Sequence, residues 1–216
     1  MTSSSPSAQT SKLRLAVLLL AAGEGSRLGG HPKALLRKDK HTLLERFSIA
    51  IQQFAPVEYL VVTGFHAETI ESEIAKINTA LTFLLKTVRN ITPEKGQASS
   101  VRLGLESLQS EFDVLLVALS DQSQIGAREI QELLEAFSRR NPGEEIILPM
   151  LGGRRGNPVL FSKAAVQAVL TIPGMVCRAY MDMHPERVRI METQNPAFVM
   201  DVDTPEDILK YKLSLP

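Results

Sequence analysis

One cysteine, Cys177, is too few for an intrachain disulfide, and the cysteine usage gives no sign of an oxidising compartment. Neither sign of charge is in excess: 24 Lys and Arg residues balance 24 Asp and Glu. No global field therefore steers the chain toward nucleic acid or anionic lipid, and any recognition of phosphate has to be local. No stretch approaches the roughly 18 to 20 apolar residues that span a bilayer. The four histidines, His31, His41, His66 and His184, lack metal-ligand spacing and have no cysteine partners, which leaves them as surface residues. Two familiar phosphate motifs are missing as well. A Walker loop ends in Gly-Lys-Ser/Thr, whereas Lys33 is followed by Ala34. A dinucleotide fingerprint needs G-x-G-x-x-G, whereas after Gly23 and Gly25 the third glycine, Gly29, comes one place late.

What the sequence does contain is concentrated in Leu15 to Lys33, LAVLLLAAGEGSRLGGHPK. An apolar run ends in Ala21-Ala22-Gly23 and passes into a loop with Gly23, Gly25, Gly29 and Gly30 and two cations, Arg27 and Lys33. Glycines let backbone N–H groups approach a ligand closely, while Arg and Lys neutralise phosphate oxygens. A buried strand handing over to such a loop reads as a nucleotide site. Ahead of it, Met1 to Lys12 is small and polar and is expected to form a disordered tail, leaving residues 13–216 as one domain. Lys12, Arg14 and the run to Ala22 imitate a secretory signal, but cleavage there would discard the strand and leave the loop dangling. A cytoplasmic location uses both.

Apolar periodicity along the rest of the chain alternates between strand and helix. Strands are expected over Leu13 to Leu20, Val57 to Thr63, Leu81 to Val88 and Asp113 to Leu119, then near Glu145 to Leu148, Val159 to Phe161 and Arg187 to Met191. Helices are expected over Thr42 to Phe54, His66 to Ile77, Gln97 to Leu108 and Ala127 to Arg140, and near Lys163 to Leu170. Thr204-Pro205-Glu206-Asp207 opens a last helix with an N-cap Thr, Pro at the first helical position and acids in the first turn. This is a three-layer α/β domain with a mainly parallel sheet. Ligands of such folds bind outside the carboxyl ends of the strands, so the polar clusters that follow Leu20, Val88 and Leu119 are expected to face one cleft.

The first of those clusters is the glycine loop itself, a triphosphate cradle or, more plainly, a connection with solvated cations. The second, Gly96-Gln97-Ala98-Ser99-Ser100, sets hydroxyls and an amide at a helix N-terminus, suited to a phosphate or a nucleobase edge but equally to capping alone. The third, Leu119-Ser120-Asp121-Gln122, puts a carboxylate directly after a buried strand. Alone it would be a turn cap; beside a triphosphate loop it is a candidate Mg²⁺ ligand, because Mg²⁺ takes one or two carboxylates and fills its shell with water and substrate phosphates. Asp201 or Asp203 supplies a second carboxylate. Cys177 has no partner base and reads as inert.

Taken together the clusters resemble the molybdenum-cofactor nucleotidyltransferase family, within the wider group of glycine-rich-loop nucleotidyltransferases. LLLAAGEGSRLGGHPK is similar to that family's signature loop, GQASSVRLGL to its base-contacting segment and LSDQ to its metal-aspartate turn. GGRRGNPVLF is similar to the acceptor-side loop and strand, and DVDTPEDI to the second acidic motif. The resemblance implies a Rossmann-like fold and Mg²⁺-dependent transfer of a nucleoside monophosphate from an NTP to a phosphorylated acceptor, with release of pyrophosphate. It further implies that Ala21, Ala22, Gly23 and Gly25 with Arg27 hold the nucleotide, that Lys33 stabilises the α-phosphate, that Gln97 and Ser100 touch base or ribose, and that Asp121 with Asp201 or Asp203 holds Mg²⁺. Ala-Ala-Gly and Asp-Gln look like the cytidylyl branch, which favours CTP and molybdopterin. Met175 and Cys177 stand where relatives carry an acidic residue and a glycine, and Ser123 where proline is usual. If the stretch Pro173 to Arg178 lines the acceptor pocket, the acceptor changes.

The alternatives keep the chemistry with GTP or with a sugar or polyol phosphate, discriminated by the loop Gly152 to Asn157, or replace it with a nucleotide- or dinucleotide-binding domain without nucleotidyl transfer. A catalytic domain needs its cations and carboxylates, and all are present.

Overall fold

The computed structural model describes residues 13–216, and the expected tail over residues 1–12 lies outside them. The chain runs β1 (Leu15–Ala21), a short ribbon of β2 (Arg37–Lys38) and β3 (His41–Thr42), α1 (Leu43–Gln52), β4 (Glu58–Thr63), α2 (Ala67–Ile77) and β5 (Leu85–Arg89). It continues with α3 (Gln97–Ser107), β6 (Val114–Leu119), α4 (Ala127–Ser138), β7 (Ile146–Leu151), β8 (Arg154–Arg155) and β9 (Val159–Ser162). The last elements are α5 (Lys163–Thr171), α6 (Cys177–Met183), β10 (Val188–Glu192) and α7 (Pro205–Lys210).

The strands form one sheet in the order β10-β7-β9-β6-β1-β4-β5, with β8 paired to β7. Because β1 is central and buried on both faces, its alternating side chains build two cores. Leu15, Val17, Leu19 and Ala21 join one with α1, α2 and α4; Ala16, Leu18 and Leu20 join the other with α3, α5 and α6. A third, smaller cluster of Leu28, Leu36, Leu43, Val202, Tyr211 and Leu213 ties the glycine loop to the end of the chain. The sheet is mostly parallel, but β9 runs antiparallel to both β6 and β7.

Two departures from the periodicity have physical causes. The strand expected over Leu81 to Val88 begins only at Leu85. The Asn78 side chain takes both backbone groups of Leu85, at 2.8 and 3.1 Å, and Phe83 turns in to stack on Tyr59 at 5.8 Å. Residues 81–84 thus serve as a bracket, although their apolar content resembles a strand. Helix α6 also lies in a stretch without a sustained apolar repeat; Cys177, Tyr180 and Met181 are buried from it.

The order in which strands are added reverses at β1, with β4 on one side of it and β6 on the other, both parallel to it. That switch point opens a crevice at the carboxyl ends of the central strands.

Candidate active site

A cavity of 630 Å³ occupies the crevice, and all three polar clusters reach it. The nucleotide- and metal-site residues singled out from the sequence line it: Ala21, Ala22, Gly23, Gly25, Arg27, Lys33, Gln97, Ser100, Asp121, Asp201 and Asp203.

The floor is the loop after β1. Gly25 has φ 71°, and a Cβ there would stand 2.1 Å from the His31 carbonyl oxygen, so the turn requires glycine. The Gly25 carbonyl accepts the N–H groups of Leu28 and Gly30, and Leu28 is buried, which anchors the loop from beneath. The N–H groups of Gly23, Glu24 and Gly25 donate to no acceptor among the described residues. Consecutive unused N–H groups at a cavity wall are an anion-binding arrangement.

One wall carries the charges. The Lys33 ammonium donates to Asp121 Oδ2 at 2.9 Å and to Asp203 Oδ1 at 2.5 Å, and Arg27 Nη2 donates to the same Asp203 oxygen at 3.0 Å. Burial works against the Lys33 charge, but Asp121 and Asp203 outweigh it and raise its pKa. Asp121 is held by the turn after β6, where Ser120 N–H donates to Leu20 and Val202 N–H to the Asp121 carbonyl. Asp203 sits just before α7, whose Thr204/Asp207 capping box also takes the Asp203 N–H. Asp201 points inward. Burial, and then the charges of Asp121 and Asp203, push its pKa up.

Three buried oxygens here have no partner among the described residues: Asp121 Oδ1, Asp201 Oδ1 and Gln122 Oε1. Buried carboxylate oxygens are costly to leave unpaired, so this donor set suits a cation. Among the described residues no three His, Cys, Asp or Glu side chains make a ready-made metal cage. Two hard carboxylates with substrate phosphates completing the shell is nonetheless the ordinary Mg²⁺ arrangement, and the residues present fit it.

The opposite wall is the start of α3. Gln97 is exposed there, and Ser100 is buried with its Oγ accepting from Asn90 Nδ2 at 3.0 Å. Asn90 also reaches Ser99 at 2.8 Å. It is 5% exposed and, by tying the end of β5 to α3, shapes this wall; one asparagine after a strand carries no sequence signal that would single it out. Phe65, 44% exposed after β4, also lines the cavity and was not anticipated from the sequence.

Two stretches named for the acceptor side lie outside this cavity. The loop Gly152 to Asn157 does not line this cavity: Asn157 N–H donates to the Phe198 carbonyl at 2.8 Å, and Arg155 pairs with Asp182 at 2.6 Å. Pro173 to Arg178 does not line it either. Met175 packs against the α3, α5 and α6 core, and burial pushes the Cys177 thiol up to about 12, which makes it inert.

Residues 17–187 match the MobA-like NTP transferase domain. The chain belongs to that family. Molybdenum cofactor cytidylyltransferase of Escherichia coli strain K12 is 24% identical over 195 residues, 90% of this chain and 94% of that protein. Nicotine blue oxidoreductase of Paenarthrobacter nicotinovorans is 28% identical over 202 residues, 89% of this chain and 94% of the other. Bifunctional protein GlmU of Synechococcus strain CC9311 is 29% identical over 155 residues, 71% of this chain but only 32% of GlmU, so the chain spans about a third of that relative. A nucleotidyl transferase from Methanothermobacter superposes with a TM-score of 0.70 at 20% identity, covering 91% of this chain and 95% of that one. The names of the relatives this chain is similar to thus include a cytidylyltransferase and an oxidoreductase.

Proposed function

We propose that this family member is a divalent-metal-dependent nucleotidyltransferase that moves CMP from CTP to a phosphorylated small-molecule acceptor, molybdopterin by preference, and releases pyrophosphate. One observation carries the reading: loop N–H groups and two carboxylate oxygens without partners among the described residues share a single 630 Å³ cavity with two cations. Anion donors and a cation site side by side suit a metal-bound triphosphate.

In this reading the Gly23 to Gly25 backbone and Arg27 hold the β- and γ-phosphates. Ala21 and Ala22 keep the floor free of bulk, and Gln97 and Ser100 face the base and ribose. Lys33 offsets the charge that builds on the α-phosphate. An oxygen of the acceptor phosphate attacks the α-phosphorus in line as the bond to the bridging oxygen breaks, and the electron pair leaves with pyrophosphate. The nucleophile is already ionised, so no side chain has to remove a proton, and positioning with charge neutralisation carries the rate. Asp121 and Asp201, with free oxygens, would hold Mg²⁺, while Asp203 balances Lys33 and Arg27. Bound there, Mg²⁺ supplies charge neutralisation for the phosphates. The balance of cations and carboxylates leaves no global field toward nucleic acid or membrane, and a cytoplasmic location keeps the β1 strand and the loop that cleavage of a signal would separate.

The 28% identity to an oxidoreductase across nine-tenths of the chain favours one other reading, a dinucleotide-binding domain. Thermal denaturation with Mg²⁺ plus CTP, GTP, ATP or NAD separates them. A ligand at about a hundred times its Kd adds about 2.7 kcal/mol, a rise of about 5 to 10 °C for a chain of this size. We expect that rise with CTP. A rise with GTP alone would move the assignment to guanylyl transfer, and a rise with NAD alone would sink nucleotidyl transfer.

A further inference from the structure

The histidines have no part in the chemistry above, yet one of them touches the phosphate loop. His66, at the turn between β4 and α2, places Nε2 2.8 Å from the Glu24 carbonyl oxygen. A carbonyl oxygen only accepts, so Nε2 carries the proton and donates, as the neutral Nε2–H tautomer or as imidazolium. The turn that presents His66 lies directly on the loop. Phe65 N–H faces the Ala22 carbonyl at 3.4 Å, and a Cβ on Gly64 would stand 2.7 Å from that same oxygen. The base of the phosphate loop and the β4–α2 turn are therefore in backbone contact.

The consequence follows from peptide geometry. The Glu24–Gly25 bond is trans, so the Glu24 C=O and the Gly25 N–H point to opposite edges of one rigid plane. Holding the carbonyl on the His66 side leaves the Gly25 N–H on the other edge, and that N–H has no acceptor among the described residues while Gly25 lines the cavity. Rotation of the same plane by half a turn would present a carbonyl oxygen where an anion has to sit. Glycine at position 25 gives the loop the freedom to rotate, so a restraint is needed from outside it.

We infer that His66 is a positioning residue for the phosphate loop: its Nε2–H fixes the Glu24–Gly25 peptide so that the Gly25 N–H is presented to the nucleotide's phosphates. The inference rests on the nucleotidyltransferase reading and adds a residue to it. Its test is calorimetric titration of inorganic pyrophosphate with Mg²⁺ into the wild-type, His66→Ala and His66→Gln proteins, together with the melting temperature of each without ligand. Pyrophosphate probes the loop and leaves base recognition aside. His66→Ala should weaken pyrophosphate binding about 3- to 10-fold, the scale of one hydrogen bond. Gln, whose amide reaches the position of Nε2, should restore most of it, with the ligand-free melting temperatures of both variants close to each other. Wild-type affinity in His66→Ala, or no recovery in His66→Gln, would overturn the assignment. A wild-type protein that binds NAD but neither pyrophosphate nor CTP would overturn the nucleotidyltransferase reading and this inference with it.

Discussion

A buried carboxylate and a half-buried one, at opposite ends of the central strands, have opposite circumstances. Glu58 begins β4, and its side chain is fully enclosed. Its Oε2 accepts the N–H groups of Gln109 and Ser110 at 2.9 and 2.8 Å, and Oε1 accepts from Lys86 at 3.2 Å. Burial alone would raise its pKa, but the Ser110 and Gln109 N–H groups together with Lys86 outweigh it and hold the carboxyl below its ordinary range. Asp201, at the carboxyl end, keeps a buried oxygen without a partner among the described residues, and burial with two neighbouring carboxylates pushes its pKa up. A satisfied buried charge holds the fold together. An unsatisfied one, beside two more acids, is the mark of a candidate ligand site.

The contrast breaks most visibly at the carboxyl end. Asp121→Asn should cut metal-dependent turnover by about 10²- to 10³-fold while leaving the melting temperature near that of the wild type; near-normal activity would remove Asp121 from the metal site. Lys33→Ala should lower kcat further than it lowers nucleotide affinity, since its charge is needed most as the α-phosphate reacts. Equal losses in both would make Lys33 a simple binding residue.

At the other end the effect should fall on stability alone. Glu58→Gln should cost about 1 to 3 kcal/mol in denaturant unfolding with nucleotide binding unchanged. The pH dependence has a definite sign. Because the folded pKa lies below the unfolded one, Glu58 contributes its full stability above the unfolded carboxylate pKa, and that contribution is lost as pH falls through the folded value. The wild-type and Glu58→Gln proteins should therefore converge in stability in acid. Asp201→Asn should do the reverse, stabilising the metal-free protein by about 0.5 to 1 kcal/mol while impairing turnover. Smallest of all, Cys177 should resist alkylation in the folded protein at pH 8, its thiol being pushed up to about 12, and react on denaturation.

The sequence makes this asymmetry partly visible. Lys33, Asp121 and Asp203 are distant along the chain, yet each follows a strand or precedes a helix of an alternating pattern, and the crevice rule for open α/β sheets gathers them. The pairing of Arg27 and Lys33 on one oxygen of Asp203 depends on how the loop after β1 faces α7, which no spacing encodes. Nor does periodicity distinguish Asp201 from Asp203, because both fall in the same pre-helix turn and differ only in what surrounds them. His66 reads from its type and spacing as a surface residue, since its partner is a backbone carbonyl. Leu81 to Leu84 mislead for the converse reason: their hydrophobicity belongs to a bracket over Tyr59. The antiparallel course of β9 is likewise set by pairing, and its apolar run looks the same in either direction.

Calorimetric titration of Mg²⁺ with CTP into the wild-type protein and into Asp121→Asn addresses the central claim most directly, that the unsatisfied acids and the loop form one metal-nucleotide site. Saturable binding to the wild type, weakened about tenfold or more in a variant that melts normally, is the predicted result. Equal CTP binding by both proteins, or binding of NAD in place of CTP, would contradict it.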